Sequence, residues 1–403
     1  MKKIVDLLLI IFLLGFGVFS IFTIQGATVE KKFPVGNHLV KLAESFSKGE
    51  VALSPFGRPT TDIVDIGGRQ YLYFGPFPSL LITPVVLMFG GNWPQTYLGI
   101  VSFVVVFLTI VLIGKKNGFK FSDGVWLAIF FCFSSVFFGV SILGMSSYTV
   151  QTVGVAVTFL ALAEFFGKRR YLIIGALVAA AGLTRIGLYL SAVFFILEIF
   201  RGPDKARKLV LLALPILLSL LVLGAYNYKR FRSPLETGYR LQTTAISYPM
   251  SKNILPGMFS PYHLATNLYT LLVMAPEPIL DPRGGFMVMF PFLKANPWGM
   301  AIWFTSPLFL WLFFFRKGSH SFSSGVTTFL LALPSLFYFG VGYSQFGYRY
   351  SLDFLPFLFI LLLPMLGKEL NYLHKLLIIL GVLFNCLFLG SLFGVYPFFG
   401  IYG

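Results

Sequence analysis

Apolar runs of about 17 to 25 residues recur along the whole chain, and as a helix each is long enough to cross a hydrocarbon core of ~30 Å. In lipid every backbone N–H and C=O must be paired within the segment, so spans are helices or a closed barrel. Barrel strands read as alternating stretches of about ten residues. The runs here are continuous, so helices are expected. Composition agrees: 57% of the 403 residues are hydrophobic and 11% charged, with a mean hydropathy of +0.83. A soluble chain of this length needs far more charge to cover its surface. The formal net charge of +16 does not point to nucleic acid. Much of the Lys and Arg lies in short connectors between apolar runs, as membrane topology requires.

Those connectors set a threading. Lys115, Lys116 and Lys120, then Lys168 to Arg170, Arg201 to Lys208, Arg316 and Lys317, and Lys368 to Lys375 are all placed on the cytoplasmic side. The result is an all-α polytopic bundle of about 11 spans, read as one domain over 1–403. The first run, Ile4 to Gln25, is too long for a signal-peptide core and lacks a clear cleavage site, so it reads as a retained span entering from the cytoplasm. Two polar segments lie outside, 26–95 and 227–298. The first carries an amphipathic stretch, Leu39 to Phe46, and a Pro-interrupted apolar stretch, Phe77 to Gly90, read as a helix at the outer interface. The second holds a candidate interfacial helix at His263 to Met274. The third span begins near Val125, and the fifth and sixth turn around Thr184-Arg185. The last four spans are Met300 to Phe315, Val326 to Tyr343, Leu352 to Leu366 and Leu376 to Tyr396, which leaves the C-terminus outside.

Ionisable groups near a membrane are costly and are functional suspects by default. Asp62 and Asp65 form a D-x-x-D pair in the first outer segment. An aspartate in a partly dry pocket can act as general base on a hydroxyl, given a basic or hydrogen-bonding neighbour that keeps it ionised. The ordinary alternative is a solvated loop acid beside Gly67-Gly68. Two carboxylates make a thin site for a divalent cation, so no cofactor is expected, with a metal as the lesser possibility. His38 can orient a substrate or act as a helix cap. Arg185, between two apolar runs, needs a polar cavity, an anion or the headgroup layer. Arg349 lies four residues before Asp353, which suits an i,i+4 ion pair. Arg230, Arg232 and Arg240 sit among Tyr226, Tyr228, Phe231 and Tyr239, a mixture that suits phosphate oxygens and sugar faces as well as an ordinary headgroup belt. Cys132 and Cys386 lie in apolar runs and offer neither a disulfide framework nor a thiolate site. No P-loop, H-E-x-x-H, G-x-S-x-G or dinucleotide fingerprint is present.

The layout of a first span, a long acid-bearing outer loop, a Pro-rich interfacial stretch and an inward span ending in Lys115-Lys116 resembles the GT-C superfamily of membrane glycosyltransferases. That class includes the protein O-mannosyltransferases and the aminoarabinose transferase of lipid A. The segments NHLVKLAESFSKGE, GGRQYLYFGPFPSLLITP, NYKRFRSPLETGY and FGYRYSLDFLPFL look like those of uncharacterised prokaryotic membrane proteins of this type. The resemblance implies transfer of a sugar from a polyprenyl-phosphate donor to a lipid, glycan or protein acceptor on the non-cytoplasmic face of the plasma or inner membrane. Asp62 or Asp65 would then be the base, with His38, Arg185, Arg230, Arg232, Arg240 and Arg349 handling substrate and phosphate. Many members carry an acid just after the first span. The matching place here, Val35-Gly36-Asn37-His38, has none. The competing readings are a solute or lipid transporter, which predicts charges deep in spans and repeat symmetry, and a non-catalytic lipid-binding envelope protein.

Overall fold

In a computed structural model the chain is a mostly helical bundle, described over residues 2–31, 37–53, 62–241, 250–281, 283–284, 286–343 and 345–393. Parts of both outer segments, Val35-Gly36, and the C-terminal end with its expected outside location lie outside the described residues. The helices are α1 (Lys2–Lys31), α2 (His38–Ser47), α3 (Phe77–Phe89), α4 (Thr96–Lys116), α5 (Phe121–Phe133), α6 (Val136–Ser141), α7 (Ser146–Phe166) and α8 (Tyr171–Thr184). They continue as α9 (Ala192–Phe200), α10 (Lys205–Phe231), α11 (Leu264–Leu272), α12 (Ile302–Thr305), α13 (Ser321–Leu336), α14 (Leu355–Leu362) and α15 (Tyr372–Phe393). Two antiparallel hairpins, β1 (Ile63–Ile66) with β2 (Arg69–Leu72) and β3 (Glu277–Leu280) with β4 (Val288–Lys294), complete the fold.

Among the described residues five helices are long and apolar enough to cross a membrane: Lys3–Thr23, Thr96–Lys116, Ser146–Phe166, Lys205–Phe231 and Tyr372–Leu392. The protein is therefore membrane-associated. The outer faces of α1 and α10 are apolar and exposed, as lipid contact demands, with Leu8, Phe12, Phe19, Leu217 and Leu221 pointing outward. α5 is different. It is apolar all round and every residue from Asp123 to Phe133 is buried, so it fills the centre. Its Phe130 and Phe131 meet Phe309 and Phe159 edge to face.

Several expected spans are interrupted. α5 stops at Ser134-Ser135, and Ser135 restarts the chain by accepting from Phe137 N at 3.1 Å. The freed carbonyls need donors in an apolar interior. The Asn385 amide on α15 supplies them, reaching Phe133 O at 3.0 Å, Ser135 O at 3.2 Å and Thr305 O at 2.9 Å. Asn267 does the same for Leu336 O and Tyr338 O at 3.0 and 2.9 Å, where α13 ends. The stretch expected as one span from Met300 to Phe315 is α12 followed by a 3₁₀ segment, Pro307–Phe313. The pair expected to turn at Thr184-Arg185 does break there: α8 ends, Arg185 is extended at φ −143°, and a 3₁₀ turn, Ile186–Ser191, leads into α9.

The first outer segment is ordered onto the bundle. α2 buries Leu39, Val40, Leu42 and Ala43 and packs against α3. The β1–β2 hairpin turns on Gly67 and Gly68, both at positive φ (58° and 76°), which a two-residue hairpin loop of mirror-image type requires. Just after β2, Gly75 passes so close to the end of α8 that an added Cβ would lie 1.9 Å from Leu183 O. This contact seats the hairpin, and with it the functional region, at a set depth.

Candidate functional site

Three helix ends and the hairpin meet around a cavity of about 570 Å³. The α8 break contributes Arg185 and Ile186. The start of α7 contributes Ser147, and the end of α13 contributes Pro334 and Ser335. A 3₁₀ turn, Arg349–Asp353, brings Arg349, Tyr350 and Asp353. The loop after α10 adds Glu236, Tyr239 and Arg240, and β2 leads into Tyr73. Tyrosine rings line much of the wall. Tyr73 lies 4.9 Å from Tyr239, and Tyr338 lies 5.6 Å from Tyr350, centroid to centroid. At the lip, Ile186 and Leu235 are exposed apolar side chains, Leu235 by 89%. The opening thus has a greasy edge and a polar interior.

Arg349 is the distinctive group. Its guanidinium sits between the rings of Tyr148 and Tyr350, at 4.8 and 4.7 Å. Nη1 donates to Gln151 Oε1 at 3.2 Å and Nη2 to the Tyr350 hydroxyl at 3.1 Å. Its Nε is buried with no acceptor. Among the described residues no carboxylate lies within ion-pair distance of it. The expected i,i+4 pair with Asp353 does not form. The segment is 3₁₀ rather than α-helical, so positions three apart, not four, share a face. Asp353 is instead taken by Arg185 through a two-pronged pair at 3.0 and 2.9 Å, with side chains only 13% and 10% exposed. Both oxygens of Asp353 and two nitrogens of Arg185 are thereby occupied.

Asp62 and Asp65 part company. Asp65 is exposed and accepts from Gly68 N at 3.1 Å, serving the hairpin turn. Asp62 precedes β1, is 8% exposed, and stands directly behind the cavity wall. Ser147 N donates to it at 3.4 Å and the Tyr73 hydroxyl also donates to it. Burial raises its pKa above the usual aspartate value. The Arg349 charge and the two hydrogen bonds pull the other way and only partly offset this. Its route to the cavity runs through Tyr73.

The remaining expected residues scatter. Arg240 stands exposed at the rim and lines the cavity. Arg232 ends α10 in the left-handed region at φ 58° and points to solvent, away from the lining. Arg230 is buried and held within the fold, donating to Leu72 O at 2.5 Å and Asn227 Oδ1 at 2.6 Å, while its Nε is buried without an acceptor. His38 is buried outside the cavity with Nδ1 3.1 Å from Ser146 Oγ. Burial and nearby Lys41 lower its pKa to about 4, so it is neutral near pH 7.

Reading the sequence named Tyr239 among the aromatics after α10 but missed Glu236, Tyr73, Tyr338 and Tyr350. Glu236 lines the cavity, and its Oε1 accepts from Gly238 N at 2.7 Å, which holds the carboxylate in the wall. The only local signal was its place in the basic-aromatic stretch after α10. Among the described residues no group of three or more His, Cys, Asp or Glu converges on one point. No protein-family model matches the chain, no curated protein matches it, and no solved structure matches it.

Proposed function

We propose that this protein is a membrane glycosyltransferase that moves a sugar from a polyprenyl-phosphate donor to an acceptor hydroxyl on the non-cytoplasmic face. One observation carries the reading. Arg349 is a buried, aromatic-flanked cation with an unmet donor, and it opens onto a cavity whose lip is apolar. A permanent charge in that setting is best matched by an anion delivered on an apolar carrier. The phosphate sits against Arg349 and Arg240, and the isoprenoid leaves past Ile186 and Leu235 toward lipid. The tyrosine wall offers flat faces and hydroxyls to a sugar. An arrangement of about 11 spans of GT-C type, with this cavity at the outer leaflet, completes the proposal.

The reaction is a direct displacement. The acceptor oxygen bonds to the anomeric carbon as the carbon–oxygen bond to phosphate breaks. The acceptor proton passes through the Tyr73 hydroxyl to Asp62, and the negative charge of the departing phosphate is stabilised by Arg349. The Arg185–Asp353 pair positions Arg349 by anchoring the turn that carries it to the α8 break. The set-back position of Asp62 favours one second reading, a protein that binds lipid phosphate without turning it over.

The test uses radiolabelled polyprenyl-phosphate sugar in proteoliposomes, following release of the polyprenyl phosphate. Arg349→Gln is expected to lose donor binding, and Asp62→Asn to bind donor without turnover. Asp65→Asn is expected to behave as the parent. Full turnover by Asp62→Asn would remove that residue as base and move the role to Glu236. Donor bound but never consumed by the parent protein would favour the second reading.

A further inference from the structure

A second cavity, of about 440 Å³, lies at the other end of the bundle. α13 connects the two: it begins at Ser321 beside this cavity and ends with Pro334 and Ser335 in the wall of the first. At 1.5 Å per residue the two ends are about 20 Å apart. The second cavity is framed by three connectors. Asn117 and Phe119 come from the α4–α5 turn, Arg316 and Ser319 from the turn before α13, and Lys368 from the turn after α14. Its floor is apolar, with Leu363 among the buried side chains.

The charge balance here is one-sided. No carboxylate lines this cavity. The two nearby acids are already engaged. Glu198 accepts from Ser323 Oγ at 2.6 Å and Arg201 Nη1 at 3.0 Å, and lies 3.0 Å from His320 Nδ1. Glu369 pairs with Lys120. Arg316 and Lys368 come from distant parts of the chain, face the same space, and have no ion-pair partner among the described residues. Immediately before Arg316 the chain presents Phe313, Phe314 and Phe315, exposed by 72%, 68% and 63%. A dicationic pocket beside an exposed aromatic ledge matches a molecule with an anionic head and apolar tails.

We infer that this second cavity binds the phosphate headgroup of an anionic phospholipid, with Arg316 and Lys368 holding the phosphate and the acyl chains lying over Phe313 to Phe315. A free phosphate offers the same head chemistry without the tails, so the experiment separates the two. Binding of fluorescently labelled phosphatidylglycerol is measured in phosphatidylcholine nanodiscs containing the full-length protein. It is measured in an Arg349→Gln background as well, so that occupancy of the first cavity does not contribute.

Saturable binding is expected in both backgrounds. Arg316→Gln combined with Lys368→Gln should weaken it at least tenfold, while Lys317→Gln, adjacent but outside the lining, should leave it within about twofold. Ser319→Phe keeps both cations and fills the pocket mouth, so it should also abolish binding. Unchanged affinity in either the double variant or Ser319→Phe overturns the site. Displacement by millimolar inorganic phosphate overturns the lipid assignment.

Discussion

Two buried arginines look alike at first and differ in the acceptors they find and the space they face. Arg230 lies 3.9 Å from the Tyr226 ring centroid and 4.5 Å from Phe231, and Arg349 lies between Tyr148 and Tyr350 at similar range. Aromatic faces shelter both cations. Their acceptors differ. Arg230 finds a backbone carbonyl and an amide oxygen at short range and faces no large void. Arg349 has only a neutral amide and a phenol as acceptors, both above 3 Å, and it faces a large cavity. Sheltering alone therefore does not separate a structural arginine from a binding one. Each also keeps a buried Nε without an acceptor, so what separates them is the closeness of the acceptors they do have and the size of the space they face.

The sharpest way to break this distinction is to delete the structural member. Arg230→Ala orphans Leu72 O and the Asn227 amide, and is expected to cost about 3 kcal/mol of stability while leaving binding per folded molecule intact. Thermal unfolding in detergent, paired with a binding titration, reads both. A stable variant with weakened lipid-phosphate binding would erase the difference between the two regions.

Acid should next separate them. His38 holds Ser146, the residue before Ser147, which donates to Asp62. Its folded pKa, about 4, is below the ordinary 6.5, so the unfolded chain binds more protons and stability falls as pH drops from about 6.5 toward 4. The loss is up to about 3 kcal/mol, and His38→Gln should flatten it. A pH profile identical in parent and variant would detach His38 from this wall.

Arg349→Gln is expected to lower affinity for a short-chain polyprenyl phosphate by ~10- to 100-fold, or about 1.5–3 kcal/mol, with little change in stability. A large drop in Tm instead would make Arg349 a second Arg230. Smallest of all, Asp65→Asn should stay within about 0.5 kcal/mol in stability and unchanged in binding, since it serves only the hairpin turn. A binding defect there would reopen the D-x-x-D pair as a unit.

The long apolar helices were legible because length and apolarity are local properties, and α1, α4 and α15 fall close to where the runs predict them. The interruptions were less so. Whether a Ser-Ser pair ends a helix depends on a donor elsewhere, here Asn385, some 250 residues away. Gly67-Gly68 is a turn signal in the sequence, but the strands on either side of it do not alternate inward and outward, so no strand pattern flanks the turn. At the site, Arg185 and Arg349 stand out in the sequence as charges needing partners. Their partners were not foreseeable from spacing, because Asp353 is 168 residues from Arg185 and the turn that holds Arg349 is not an α-helix. Asp62 and Asp65 share a motif but not a role, since Asp62 precedes β1 on its buried side while Asp65 lies at the exposed end beside the Gly67-Gly68 turn.

Gly75 acts as a zero-thickness spacer between the hairpin and α8. Even a methyl group there would have to wedge the two apart, because what it meets is the rigid backbone of Leu183 rather than a side chain that can swing away. The hairpin would ride up, and Tyr73, two residues before the spacer, would lift with it. A change far smaller than any charge substitution would thus withdraw the phenol that links Asp62 to the cavity, without touching a single ionisable residue.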